Sequence, residues 1–202
     1  RLSLVGSEMC IRDSNYTLSS SACYLTNDPR VFDANWYLQN YSDLKAAFGS
    51  DTNAATNHWI KHGVNEGRQG TLMFSSPQYL SMYSDLQTAF GSKNYAAAVQ
   101  HRLEFGISEG RAGLYNLRAE VFNVNWYLQN HSDIKAAFGS DTNAATNHWL
   151  IHGVNEGRQA SAGFSSKNYL NRYADLRAAF GSTNYAMAIY HYIIHGIREG
   201  RN

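Results

Sequence analysis

The feature that most constrains this chain is duplication. Phe32–Arg68 reads FDANWYLQNYSDLKAAFGSDTNAATNHWIKHGVNEGR, and Phe122–Arg158 repeats it almost residue for residue. Phe74–Arg111 and Phe164–Arg201 form a second matching couple. Phe32 to Phe122 and Phe74 to Phe164 are both 90 residues apart, so the larger period is a pair of units. Self-similarity at this length marks a stacked array in which each unit is too small to bury its own apolar face. The fold class expected is therefore all-α: tandem short-helix repeats, four units of about 40 residues arranged as a duplicated pair. The domains expected are a segment 15–31, a repeat pair 32–111, a connector 112–121 and a repeat pair 122–202. Within the connector, LYNLRAEVF parallels YLTNDPRVF ahead of the first unit, which ties it to the 90-residue period.

Each unit predicts three short helices. In the first, Trp36, Tyr37 and Leu38 mark one helix. Ser42 is the expected N-cap of the next, with Asp43 in its first turn. Leu44, Ala47 and Phe48 follow at helical spacing as an apolar stripe. Gly49 stops that helix, and Ser50, Asp51 and Thr52 offer caps for a third. Ala55, His58, Trp59 and His62 share a face of it. The closing pairs Gly63-Val64, Gly106-Ile107, Gly153-Val154 and Gly196-Ile197 fit a helix ending on a left-handed glycine. A second glycine (Gly67, Gly110, Gly157, Gly200) is placed for a turn of positive φ. The even units carry one residue more between Gly91 and His101 than the odd units carry between Gly49 and His58, and a tyrosine there (Tyr95, Tyr185). Trp36, Trp59, Trp126 and Trp149 are expected in the cores. Tyr79, Tyr169, Arg102 and Tyr192 stand at the related even positions.

The chain's charge narrows its partners. Net charge is +1 and no block of like charge occurs, so nucleic acid is not expected, because phosphate binding needs a basic surface. No apolar run reaches the length of a bilayer span. No phosphate loop, nucleophile elbow or dinucleotide fingerprint is present, and no enzyme activity or cofactor is expected. Residues 1–14, RLSLVGSEMCIRDS, share nothing with the repeats. They resemble a translated sequencing-adapter artefact, and are expected to be that or a disordered arm, with the chain a fragment of something longer. If Cys10 and Cys23 both belong, a local disulfide is possible chemistry.

Three constellations bear chemistry. His58-His62, His148-His152 and His191-His195 are each four apart, the spacing that puts two imidazoles on one helix face for a metal. Against that reading, the second unit has His101 followed by Phe105, which suggests a packing position. Asp43, Asp85, Asp133 and Asp175 recur in every unit, with Glu66-Arg68, Glu109-Arg111, Glu156-Arg158 and Glu199-Arg201. Catalytic groups seldom recur four times, so these are expected to fasten each unit, through Asp–His or Asp–Arg contacts. Sequons stand at Asn15, Asn40 and Asn130, the last two equivalent.

The pattern Tyr-Leu-x-x-Tyr-x-Asp-Leu-x-x-Ala-Phe-Gly, followed by His-x-x-x-His-Gly-x-x-Glu-Gly-Arg, is clearest from Tyr169 to Arg201. It resembles a tandem repeat of large secreted or surface proteins of bacteria and some algae or protists. The resemblance covers 32–111 and 122–201 and implies an extracellular or cell-surface setting, with no implied reaction. The expected function is a non-enzymatic structural protein, a subunit of an extracellular filament, sheath or matrix that associates with itself. A glycan-binding adhesion module is the alternative, resting on exposed aromatics, and metal binding by the histidine pairs is a second.

Overall fold

The computed structural model describes residues 28–202. Cys10, Cys23 and Asn15, with the readings placed on them, lie outside the described residues. The described chain is all-α. Every repeat contributes three α-helices of seven residues, followed by a five-residue π-helical turn. In repeat 1 these are Ala34–Asn40, Ser42–Phe48, Thr52–His58 and the π turn Trp59–Gly63. Repeat 2 has Ser76–Met82, Ser84–Phe90, Tyr95–His101 and Arg102–Gly106. Repeat 3 has Val124–Asn130, Ser132–Phe138, Thr142–His148 and Trp149–Gly153, and repeat 4 has Ser166–Arg172, Ala174–Phe180, Tyr185–His191 and Tyr192–Gly196.

Helices of two turns are too short to persist alone, so local chemistry must fix their ends. Asp33 and Asn123 cap the first helices of the odd repeats through their side chains. Asp51 accepts from the backbone N–H groups of Asn53 and Ala54, and Asp141 does the same for Asn143 and Ala144. In the even repeats Asn94 and Asn184 take over that job. The additional even residue therefore lies in the loop between the second and third helices. Ser42 departs from expectation: it is the first helical residue, and Tyr41, whose side chain makes no cap bond, holds the N-cap position.

The described residues divide into two compact units, one ending at Gly113 and the other running Leu114–Asn202. Each unit holds one apolar core that runs through both of its repeats. The pair is thus the entity that buries a core. The expected connector 112–121 does not stand apart. Its Leu114 and Val121 are buried, Tyr115 sits edge-on to Tyr190, and the Asn116 carbonyl accepts from Trp149 Nε1. From Leu114 on it is the opening segment of the second unit, while Ala112 and Gly113 accept hydrogen bonds from Tyr83 and Ser75 of repeat 2. The parallel with the segment ahead of repeat 1 is structural too, with the charges exchanged: Arg30 pairs with Asp28, whereas Arg118 pairs with Glu120 at the equivalent positions.

Burial corrects several expectations. Trp59 and Trp149 are core residues, but Trp36 and Trp126 are only half-buried. The buried residue of the first helix is the neighbouring tyrosine, Tyr37 or Tyr127, and its even equivalents are Tyr79 and Tyr169. Trp36 and Trp126 therefore correspond to Gln78 and Asn168. Of the stripe Leu44, Ala47 and Phe48, Leu44 is buried and Ala47 faces solvent, because a seven-residue helix offers the core barely one inward turn.

The closing glycines also behave differently. Gly67, Gly110, Gly157 and Gly200 have positive φ, as expected, but Gly63, Gly106, Gly153 and Gly196 do not. The third helix widens instead of stopping: Val64 N–H bonds the Trp59 carbonyl, and Arg68 N–H bonds that of Gly63, both five residues back. Such π turns are rare and often mark a place where something must be accommodated. Here it is a tyrosine hydroxyl.

Candidate functional site

One arrangement recurs in all four repeats. The tyrosine of the first helix crosses the core, and its hydroxyl shares a hydrogen bond with Nδ1 of the last histidine of the third helix. The pairs are Tyr37–His58 at 3.2 Å, Tyr79–His101 at 3.1 Å, Tyr127–His148 at 3.0 Å and Tyr169–His191 at 3.0 Å. The tyrosine oxygen lies against the π-turn glycine. A Cβ there would stand 2.3 Å from Tyr37 Oη at Gly63 and 2.0 Å from Tyr79 Oη at Gly106. The corresponding distances are 2.7 Å at Gly153 and 2.3 Å at Gly196. Glycine is required at these four positions for close approach and not for its backbone freedom. Burial raises the phenol pKa of Tyr37, and pushes those of Tyr79, Tyr127 and Tyr169 up to about 12. Burial also lowers the pKa of His58, His148 and His191. Both shifts favour a neutral hydroxyl–imidazole bond.

A second arrangement closes the rim. Arg68 reaches Asp43 at 2.9 Å and Glu66 at 2.6 Å. Arg111 bonds Asp85 and Glu109, Arg158 bonds Asp133 and Glu156, and Arg201 bonds Asp175 and Glu199, all within 2.9 Å. The expected Asp–Arg contact is thus present within every repeat. The aspartate is the second residue of the second helix and the arginine follows the π turn, so the clasp ties the middle of the repeat to its end. The arginine side-chain hydrogen bond holds the carboxyls of Asp43, Asp85, Asp133 and Asp175 below the ordinary range. The same guanidinium lies over a ring in repeats 1, 2 and 4: Tyr41, Tyr83 and Tyr173, at 4.8–4.9 Å. Repeat 3 has His131 there, and its Nε2 bonds the Gln159 carbonyl. These exposed pairs fix geometry more than they add stability.

The histidine pairs are brought together. Ring centres stand 5.5 Å apart for His58–His62, 5.4 Å for His148–His152 and 5.3 Å for His191–His195. Among the described residues no group of three His, Cys, Asp or Glu side chains is placed to hold a metal. The position of the second histidine is not a packing site, as Phe105 had suggested. His62, His152 and His195 are exposed, and Phe105 itself is 53% exposed. Asn40 and Asn130 are exposed at the ends of their helices, with Nδ2 donating to the Trp36 and Trp126 carbonyls.

What sequence reasoning missed was the tyrosine as partner of the first histidine. The signal was present, because Tyr37, Tyr79, Tyr127 and Tyr169 recur without exception beside a leucine, and the histidine and glycine recur with them.

Fold and site define an all-α tandem repeat protein whose recurring polar residues hold each repeat together. No protein family, no curated protein and no solved structure matches the chain. No helix among the described residues is long and apolar enough to cross a membrane.

Proposed function

We propose that this is a non-enzymatic structural protein whose copies join through the same kind of repeat-to-repeat contact that joins repeats within a pair, in an extracellular or cell-surface assembly. One observation carries the reading. In the odd repeats the closing turn is covered: Gly67 lies under Tyr95 and Pro77 of the following repeat, and Gly157 lies under Tyr185. Val64 and Val154 beside them are 2% and 3% exposed. In the even repeats a Cβ at Gly110 or Gly200 would meet no atom of the described residues within 4 Å; of the counterparts of Val64, Ile107 is half-buried and Ile197 is 41% exposed. The even turn keeps the glycine and the apolar residue of a covered turn without the cover. A second copy offers repeats of the same shape, and a head-to-tail contact of this kind propagates when its rotation does not close. The extracellular setting rests on the resemblance of the repeats to those of secreted proteins.

The test is the assembly state of the chain across a concentration series, by light scattering and negative-stain imaging. Association that Ile197→Glu weakens supports the reading, because the charge would be buried in the contact. A monomer at every concentration overturns it.

A glycan-binding reading rests on Trp36 and Trp126, half-buried once per 90 residues. A glycan array read against Trp36→Ala and Trp126→Ala separates it from self-association: binding lost in those variants, with association unchanged, favours the glycan.

A further inference from the structure

We infer that the three histidine pairs are separate, equivalent sites for a borderline divalent cation such as zinc, one ion per pair, and that repeat 2 is a naturally blank copy of the same site. The inference stands apart from self-association and uses different atoms.

The first argument is which nitrogen is available. Imidazoles that bind metals nearly always have their other ring nitrogen engaged by a hydrogen-bond partner, which fixes tautomer and ring orientation. In His58, His148 and His191 the tyrosine hydroxyl occupies Nδ1 at 3.0–3.2 Å. That leaves Nε2 as the ligating atom, with the ring held from behind by a core residue. The second histidine of each pair is exposed and supplies the other nitrogen from one helical turn further on.

The second argument is distance. An ion about 2.0–2.1 Å from each nitrogen in tetrahedral geometry places the two ring centres roughly 5.2 Å apart. The three pairs show 5.5, 5.4 and 5.3 Å. The spacing therefore suits a shared ion once the rings turn their nitrogens toward it. Two protein ligands are what each site offers, because Glu66, Glu156 and Glu199 are held by Arg68, Arg158 and Arg201. Water completes the coordination, so the ion remains exchangeable.

The third argument is the internal control. In repeat 2, His101 keeps its bond to Tyr79 at 3.1 Å and its neighbour four residues on keeps the same ring spacing, 5.6 Å, but that neighbour is Phe105. The scaffold is intact and one donor is missing.

The test is isothermal titration of the full chain with zinc alone, after alkylation of Cys10 and Cys23 so that thiols do not compete. Three ions per chain are expected. His62→Ala, His152→Ala and His195→Ala should each remove one. Phe105→His should add a fourth. All four substitutions fall on exposed side chains, and circular dichroism checks that the helices remain. Absence of saturable binding overturns the inference. So does binding whose stoichiometry the four substitutions do not move, since that metal would sit elsewhere.

Discussion

The odd and even repeats share one latch and differ in the wall beside it. In repeats 1 and 3 a tryptophan opens the π turn and stacks flat under the leading phenylalanine: Phe32–Trp59 at 5.2 Å and Phe122–Trp149 at 5.6 Å. Repeat 4 replaces it with Tyr192, stacked on Phe164 at 4.1 Å. Repeat 2 replaces it with Arg102, whose guanidinium stands 6.0 Å from the Phe74 ring. Arg102 also donates to the Arg111 carbonyl, while its Nε is buried without a partner. Burial lowers the pKa of that guanidinium, because a half-buried site disfavours the charge. Among the described residues the buried side-chain atoms lacking a partner are this Nε and the hydroxyls of Ser76 and Ser166. All belong to even repeats. The buried polar atoms without a partner among the described residues thus fall on the even side of each pair. What stays constant across all four is the tyrosine–histidine–glycine latch together with the Asp–Arg–Glu clasp, and these define the repeat.

The most severe way to probe this contrast is to truncate the wall. Trp59→Ala or Trp149→Ala should cost about 3–5 kcal/mol, the usual range for a buried tryptophan removed from a packed site. Arg102→Ala should cost far less, because the lost packing is offset by release of an unsatisfied buried donor. Urea denaturation of the three variants measures both. Equal losses at Trp149 and Arg102 would break the comparison, since the even wall would then be as important as the odd one.

The latch should show the opposite behaviour, with no distinction between odd and even. Alanine at a π-turn glycine drives a methyl into the tyrosine hydroxyl, and overpacking of that kind costs about 1–3 kcal/mol. The distances rank the sites: Gly106→Ala worst, Gly63→Ala and Gly196→Ala intermediate, Gly153→Ala mildest. Tyr79→Phe combined with Gly106→Ala should recover part of the loss, because the clash is with the oxygen. Strict additivity in that double-mutant cycle would remove the hydroxyl as the reason for glycine.

Much of this architecture was legible before any coordinates. The period, the all-α class, the three-helix unit and the Asp–Arg fastening follow from recurrence, because a residue present in every unit serves what every unit shares. The misreadings have a common physical source. Gly63-Val64 has the letters of a left-handed stop, yet the chain continues as a π turn, because the Tyr37 hydroxyl needs room that only a tertiary contact reveals. Phe105 looked like a packing residue because it is apolar, yet seven-residue helices expose most of their surface and cannot bury every aromatic. Trp36 is expected in the core for its large apolar ring, yet Tyr37 takes the core position and its hydroxyl finds the half-buried His58. Pattern identifies which residues act together, whereas the direction each side chain takes depends on neighbours distant in sequence.

Smaller effects should come from repairing the even repeats. Arg102→Tyr copies the repeat 4 wall into repeat 2 and should stabilise it by about 1 kcal/mol, since it removes an unsatisfied buried donor. Ser166→Ala and Ser76→Ala delete orphan hydroxyls and should be neutral to slightly stabilising, a few tenths of a kcal/mol. Thermal melts decide the matter. Destabilisation by Ser166→Ala would mean that its hydroxyl has a partner in solution, and would weaken the contrast with the odd repeats.

The mildest probe is acid, and its sign follows from the shifts themselves. His58, His148 and His191 have folded-state pKa values lowered, first by burial, so the unfolded chain binds protons at these sites more readily than the folded one. Stability from them is complete above the unfolded histidine value of about 6.5 and declines as pH falls through and below it. The lowered carboxyls of Asp43, Asp85, Asp133 and Asp175 act with the same sign at lower pH, from the unfolded aspartate value of about 3.9 downward. Two successive declines in melting temperature should therefore appear on acidification. Tyr127→Phe leaves His148 half-buried but removes its hydroxyl partner, so it should lower stability at neutral pH while keeping the histidine step, because burial is the first cause of the shift. If the histidine step shrank in Tyr127→Phe, the hydrogen bond and not burial would control the titration of His148. The latch of repeat 3 would then act as a proton-sensitive fastening.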